Sequence, residues 1–250
     1  LAADHVAKSV PDGHTLFIAF DSHAVNPHIY KSDLRYDTFK DLAPISFVGS
    51  IPLLLATSPA FPAKDISSFI QVAKSKPGTI SYASVGAGSS GHLAAEQLKL
   101  LANVDMLHIP FKGGAPALSA LMGEQVQLIV FAAGAGVPLV RGGKIKPLAV
   151  SGMRRSSALP NVPTITNSGL SGYDAIGWFG LLAHANTPPD IVKKLHDDIQ
   201  KVMSMPEVRK AMNEKGAEPG NLTPVEFNKF IQQEQTKWTK LIKDANITIE

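Results

Sequence analysis

Two short apolar runs, Ile-Pro-Leu-Leu-Leu-Ala-Thr at 51–57 and Trp-Phe-Gly-Leu-Leu-Ala at 178–183, constrain this chain more than any other feature, because they bracket a central series of alternating strand and helix patterns. A run of this length without polar alternation reads as a strand buried on both faces, which requires sheet neighbours on either side and covering layers above and below. Between the two runs, Ile66, Phe69, Ile70 and Ala73 recur at helical spacing and stop at Lys76-Pro77-Gly78. Strand patterns follow at 79–85, 104–109, 126–131 and 145–151, and helical ones at 91–101, 115–122 and 137–141. Strands alternating with helices imply βαβ crossovers and mostly parallel sheets.

Further elements lie outside the bracket on both sides. A strand at 14–20 follows the turn signal Pro11-Asp12-Gly13, a short helix or loop runs through Asn26-Pro27-His28, and a second strand pattern covers 39–48. After position 183 the chain is almost wholly helical, over 189–203, 206–215 and 224–246, each stretch with Pro in its first turn, where the missing N–H costs nothing. Phe227, Phe230, Ile231, Trp238 and Leu241 give the last helix a packing face. The whole predicts one α/β domain inserted into another, the first lobe from 1–52 and 177–250 and the second from 53–176, with two strand crossings able to act as a hinge.

Composition narrows the function classes. The 24 Lys and Arg residues against 21 Asp and Glu leave a net charge of +3 over 250 residues, and the longest basic runs are the pairs Arg154-Arg155 and Lys193-Lys194. Nucleic-acid binding needs its cations clustered on one face, so no nucleic-acid partner is expected. The absence of cysteine removes disulfides, thiolate zinc sites and cysteine nucleophiles, and suits an oxidising compartment. The eight histidines show no H-E-x-x-H, and His23 and His28 stand five apart across Asn-Pro, so no metal is expected. The opening LAADHVAKSVPDG reads as the tail of a helix entered partway, and the expectation is a preceding segment with a signal peptide and a first strand.

The sharpest local motif is Gly86-Ala87-Gly88-Ser89-Ser90-Gly91, a G-x-G-x-x-G after a strand and before a helix. A dinucleotide site would also need an acid at the end of the next strand, but that end reads Ile109-Pro110-Phe111-Lys112, and Asp105 stands at the strand's beginning. No cofactor is therefore expected. What survives is a Gly/Ser loop offering backbone N–H groups, hydroxyls and a helix's positive end to an anion. The alternative is a serine hydrolase with nucleophile Ser89 on a variant elbow and His184 or His196 as base, although Ala87 replaces the usual glycine. Ser90 alone reads as a helix cap, His92 as either a ligand donor or a packed polar group, and Lys112 as either an anion contact or a solvated lysine.

Several segments together resemble the Bug receptors, the extracytoplasmic solute-binding proteins of tripartite tricarboxylate transporters. They are Pro11-Asp-Gly-His-Thr-Leu16, Ser22-His-Ala-Val-Asn-Pro-His28, Pro62-Ala-Lys-Asp-Ile66, Lys76-Pro-Gly-Thr-Ile-Ser-Tyr-Ala-Ser84, Gly86-Ala-Gly-Ser-Ser-Gly-His-Leu93, His108-Ile-Pro-Phe-Lys-Gly113, Leu159-Pro-Asn-Val-Pro-Thr164 and Trp178-Phe-Gly-Leu-Leu182. The resemblance spans essentially the whole chain. It implies a type II periplasmic binding-protein fold with two α/β lobes joined by two hinge strands. It also implies a non-enzymatic, monomeric receptor in the periplasm that closes over a small organic carboxylate and delivers it to membrane permease subunits. Carried over by position, the ligand residues are Phe20, Asp21, Ser22 and His23 from the first lobe, and from the second Ser84, Gly86, Ala87, Gly88, Ser89, Ser90, Phe111, Lys112, Gly113, Phe131 and Ala132. The family's first strand has no counterpart after Leu1, and where the family often has Asp-Asn this chain has Phe131-Ala132. With Phe20 and Phe111 at other strand ends, the expected ligand is a longer dicarboxylate or an aromatic carboxylate.

Overall fold

The computed structural model describes residues 2–30 and 33–247. In chain order the elements are α1 (Ala2–Ala7), β1 (Phe17–Phe20), α2 (Ser22–Ile29), β2 (Leu42–Ile51), β3 (Leu53–Thr57), α3 (Ile66–Ser75), β4 (Ile80–Ser84), α4 (Ser90–Ala102), β5 (Met106–Pro110), α5 (Gly114–Met122), β6 (Leu128–Ala132), α6 (Ala133–Arg141), β7 (Lys146–Val150), β8 (Gly177–His184), α7 (Pro189–Ser204), α8 (Pro206–Glu214), β9 (Glu218–Pro219) and α9 (Pro224–Asp244). They form two compact units. Leu1–Ser50, Trp178–Met212 and Glu218–Lys243 make the first, and Ile51–Gly177 with Asn213–Ala217 makes most of the second. Among the described residues no helix is long and apolar enough to cross a membrane.

The first unit is built on a four-stranded sheet in the order β1-β8-β2-β9, with β1 antiparallel to β8 and β2 antiparallel to β9. Its core is aromatic. The Trp178 ring of β8 meets Phe227 and Phe230 of α9 edge-on at 5.6 Å, and Phe47 of β2 meets the same two rings at 5.5 and 5.3 Å, the geometry that aligns ring edges with ring faces. Gly180 exists for this contact, since a Cβ there would stand 2.3 Å from Phe227 Cζ. Further along α9 the Trp238 indole N–H donates to Glu234 (3.0 Å), whose buried carboxylate also pairs with Lys237.

The second unit holds a five-stranded sheet in the order β5-β4-β6-β3-β7. Strand β3 is buried at every position, as its unbroken apolar run predicts, with β6 on one side and β7 on the other. The expectation of a mostly parallel arrangement is corrected here. β4 is parallel to β5 and β6, but β3 is antiparallel to both its neighbours, and the pairs given for the first unit are antiparallel. A parallel return needs a crossover, which α4 and α5 supply between β4, β5 and β6. β3 instead continues from β2 across Pro52, which has no N–H to give a ladder, and enters the sheet between β6 and β7 against their direction.

Candidate functional site

In the second unit three parallel strands end side by side. β4 and β5 pair in register up to Ser84 opposite Pro110, and the Phe111 N–H extends the ladder to the Ser84 carbonyl (3.1 Å). β6 flanks β4 on its other side. A helix starts at the carboxyl end of each: α4 after β4, α5 after β5, and α6 directly after β6. Each helix N-terminus carries about half a positive charge and unpaired N–H groups, and none of the three has an acidic residue in its first turn to offset it. Carboxyl ends of parallel strands are where open α/β sheets bind ligands. Here that edge is an uncompensated positive pole.

The loop between β4 and α4 settles which of its donors remain for a ligand. Gly86 and Gly88 take φ of 141° and 74°, values a side chain disfavours, and so fold the loop back on itself. The Gly86 N–H donates to Ser84 Oγ (3.2 Å), the Gly88 N–H to His92 Nδ1 (3.0 Å), and the Ser89 N–H to the Gly86 carbonyl (3.2 Å). Ser89 caps α4: its Oγ accepts the His92 N–H and donates its proton to the Gly86 carbonyl at 2.7 Å. Among the described residues the N–H groups of Ala87 and Ser90 have no acceptor in the protein, and the Ser90 hydroxyl has no partner. The donors left for an anion thus include Ala87 N–H, Ser90 N–H and Ser90 Oγ. Gly91 lets α4 begin this close to the sheet, since a Cβ there would lie 2.1 Å from the Val130 carbonyl oxygen of β6.

The remaining expected residues of the second unit divide. Lys112 is exposed and Phe111 half-buried beside the glycine loop; Gly113, at φ 107°, turns the chain into α5. Phe131 is corrected. Its ring is 4% exposed, packed in the core with Leu54, Ala133 and Val137 and lying under Gly136 of α6, so it offers no aromatic surface, and Ala132 is the half-buried residue at that strand end.

Phe20, Asp21, Ser22 and His23 belong to the first unit. Phe20, at the end of β1, is 58% exposed and tilted against Phe179 (6.5 Å), and Asp21 and Ser22 open α2. His23 points inward: it is buried, stacks on Tyr36 (6.3 Å, 5°), meets Phe17 edge-on, and neither ring nitrogen has a hydrogen-bond partner. Burial pushes its pKa down to about 4, leaving a neutral ring at pH 7. A hollow of about 490 Å³ in this unit, lined by Phe17, Asn26, Tyr30, Arg35 and Tyr36 among others, includes none of these four; one of about 550 Å³ in the second unit, along Lys64, Arg141 and Leu159, includes none of the loop residues. Donors and dipoles, not concavity, mark the candidate site.

Among the described residues no histidine ring is hydrogen-bonded to Ser89. His184 Nδ1 accepts the Asn186 N–H and His196 Nδ1 meets the Ile45 carbonyl, while the Ser89 proton is held by Gly86. The serine–histidine pair that does form, Ser84 Oγ to His108 Nε2 at 2.7 Å, has its serine fully buried. Sequence reasoning missed the layer beneath the loop, where Tyr82 donates to Glu96 (2.6 Å) and Lys99 pairs with the same carboxylate (2.9 Å). An acid at 96 three residues before a lysine on one helix face was its only visible trace. Among the described residues no group of three or more His, Cys, Asp or Glu side chains could hold a metal ion.

The chain is similar to known proteins over nearly its whole length. Residues 1–247 match the family described as "Tripartite tricarboxylate transporter family receptor", TctC. Among solved structures, Rpa4515 from R. palustris with adipate superposes with a TM-score of 0.90 at 32% identity, covering 99% of this chain and 83% of that one. The periplasmic binding protein BugD superposes at 0.86 and 29%, over 99% and 83%. MatC from Rhodopseudomonas palustris with bound malate does so at 0.83 and 31%, over 96% and 83%.

Proposed function

The chain belongs to the tripartite tricarboxylate transporter receptor family, a family of solute-binding proteins, and from this we propose that it captures a small dicarboxylate in the periplasm for a membrane permease. Its fold is that of the TctC and Bug binding proteins, as the sequence resemblance implied. One observation carries the ligand class. Three helix N-termini without first-turn acids converge on one sheet edge, where the Ala87 and Ser90 N–H groups and the Ser90 hydroxyl are free to donate. Charge-assisted hydrogen bonds from such donors contribute about 1.5–3 kcal/mol each, and Lys112 adds a mobile charge at the rim.

The choice between dicarboxylate and aromatic acid turns on Phe131. With that ring in the core, the described loops that follow β4, β5 and β6 keep the half-buried Phe111 as their aromatic surface. Two structural relatives hold adipate and malate, both dicarboxylates. In this reading Ser89 is a structural cap and the site performs no chemistry. Calorimetry of the protein with adipate, malate, succinate, benzoate and phthalate tests the proposal. Binding confined to the aliphatic diacids is expected, and tighter binding of the aromatic acids would reverse the assignment. Delivery is tested by retention of the loaded protein on membranes that carry the permease subunits, with membranes lacking them as the control.

A further inference from the structure

Beneath the glycine loop lies a stack of rings that anion binding does not itself use. His92 on α4 and His108 on β5 lie face to face with centroids 3.8 Å apart and planes within 8°, and Tyr82 on β4 covers His108 at 4.9 Å. The titratable and charged groups around them are Tyr82 from β4, Glu96 and Lys99 from α4 itself, and the two imidazoles; β6 (Leu128–Ala132) contributes apolar residues only, and Tyr173 bonds the Ala94 carbonyl further along the helix.

Both ends of the loop hang from this stack. An amide N–H can donate only to a bare ring nitrogen, so the Gly88 N–H to His92 Nδ1 bond makes His92 neutral, with its hydrogen on Nε2. At the other end Ser84 Oγ bridges His108 Nε2 (2.7 Å) to the Gly86 backbone, accepting its N–H at 3.2 Å and lying 2.9 Å from its carbonyl oxygen. The Gly88 amide is therefore turned inward by the His92 imidazole and the Gly86 amide by Ser84 Oγ, itself bonded to His108, and Ala87 and Ser90 are among the donors left.

We propose that His92 and His108 are the positioning residues of the anion loop: the neutral imidazole pair holds the Gly86 and Gly88 amides inward and thereby decides which N–H groups a carboxylate meets. A proton on His92 Nδ1 would turn the acceptor into a donor facing the Gly88 N–H, and a second proton on His108 would set two cations face to face. Burial pushes both imidazoles down to about 4, so the arrangement persists at neutral pH and fails in acid. The ligand readout of this proposal rests on the anion-binding reading; the loop geometry does not.

The test follows the Gly88 amide and the His92 ring nitrogens by NMR in the ligand-free, ¹⁵N-labelled full chain. Nδ1 is expected to be bare at pH 7, and the Gly88 amide to shift with the same midpoint as His92. His92→Phe keeps a ring in the stack but no acceptor, whereas His92→Asn returns an oxygen near the place of Nδ1. With adipate as the calorimetric probe, His92→Phe should weaken binding by about tenfold, the loss of roughly one hydrogen bond, and His92→Asn by no more than about threefold. A Gly88 amide indifferent to His92→Phe and to the titration would overturn the positioning role, and so would a His92→Asn protein that binds as poorly as His92→Phe. If the wild-type protein takes no adipate, the anion-binding reading is what fails, and the Gly88 shift still decides this one. Should His92→Phe not fold, the wild-type titration and His92→Asn carry the test.

Discussion

Replacing Gly91 with alanine separates the stability of the second unit from its affinity for anions. A Cβ at this position would stand 2.1 Å from the Val130 carbonyl oxygen and 3.0 Å from its carbon, both backbone atoms that cannot swing aside. The first turn of α4 must then retreat from β6 by roughly 1 Å, the excess a close-packed interior cannot absorb. Overpacking of this kind costs about 1–3 kcal/mol, and the better helix propensity of alanine returns up to about 1 kcal/mol. The net loss is at most about 3 kcal/mol and centred near 1–2 kcal/mol, which at that centre is a fall in melting temperature of roughly 2–8 °C for a chain of this size. The same retreat carries the Ser90 N–H away from its place, so affinity for adipate should fall by about tenfold or more, since misplacing a recognition group by an ångström is costly. Urea denaturation gives the first quantity and calorimetry of the folded variant the second. A Gly91→Ala protein as stable as wild type, with undiminished adipate affinity, would refute the claim that the helix start is held by contact with β6.

The two serines should behave oppositely: Ser89→Ala loses a cap and about 1 kcal/mol of stability, whereas Ser90→Ala leaves the urea midpoint unchanged and weakens adipate binding. His23→Phe should stabilise the protein by about 1 kcal/mol at pH 7, because two buried, unpartnered ring nitrogens disappear. Its pH dependence has a definite sign. The folded pKa of about 4 lies below the ordinary 6.5, so the unfolded chain binds more protons between these values and wild type loses stability as pH falls from about 6.5 to about 4. The variant should lose less over that window, and a parallel pair of stability curves would contradict the assignment. Glu234→Ala leaves the buried Trp238 indole N–H without its acceptor and should cost about 1–3 kcal/mol in chemical denaturation, with adipate affinity in the folded protein unaffected.

Much of the site is readable along the chain because its parts are local. The glycines that turn the loop and the helix that follows form one continuous segment whose conformation is set by φ freedom and capping chemistry, although the cap falls on Ser89 and not on Ser90, where the sequence reading put it. What the segment does with its hydrogen bonds is not readable. Of the two adjacent serines, Ser89 holds the turn together and Ser90 has no partner in the protein, because only Ser89 faces the Gly86 carbonyl. Phe131 stands at a strand end and reads as a ligand contact, but period-2 alternation cannot say which face of a fully buried strand is which, and Gly136 of α6 opens the slot that takes the ring.

The α/β alternation, the fully buried β3 and the aromatic face of α9 follow from residue spacing, since burial periodicity is a property of a few neighbouring residues. The direction of β3, the inward turn of His23 and the stacking of His92 on His108 do not. Each depends on partners distant in sequence, β6 and β7 for the first, Phe17 and Tyr36 for the second, a helix and a separate strand for the third. Such pairings are chosen by which edges and faces remain to be covered once the local elements have formed, and no local pattern encodes that choice.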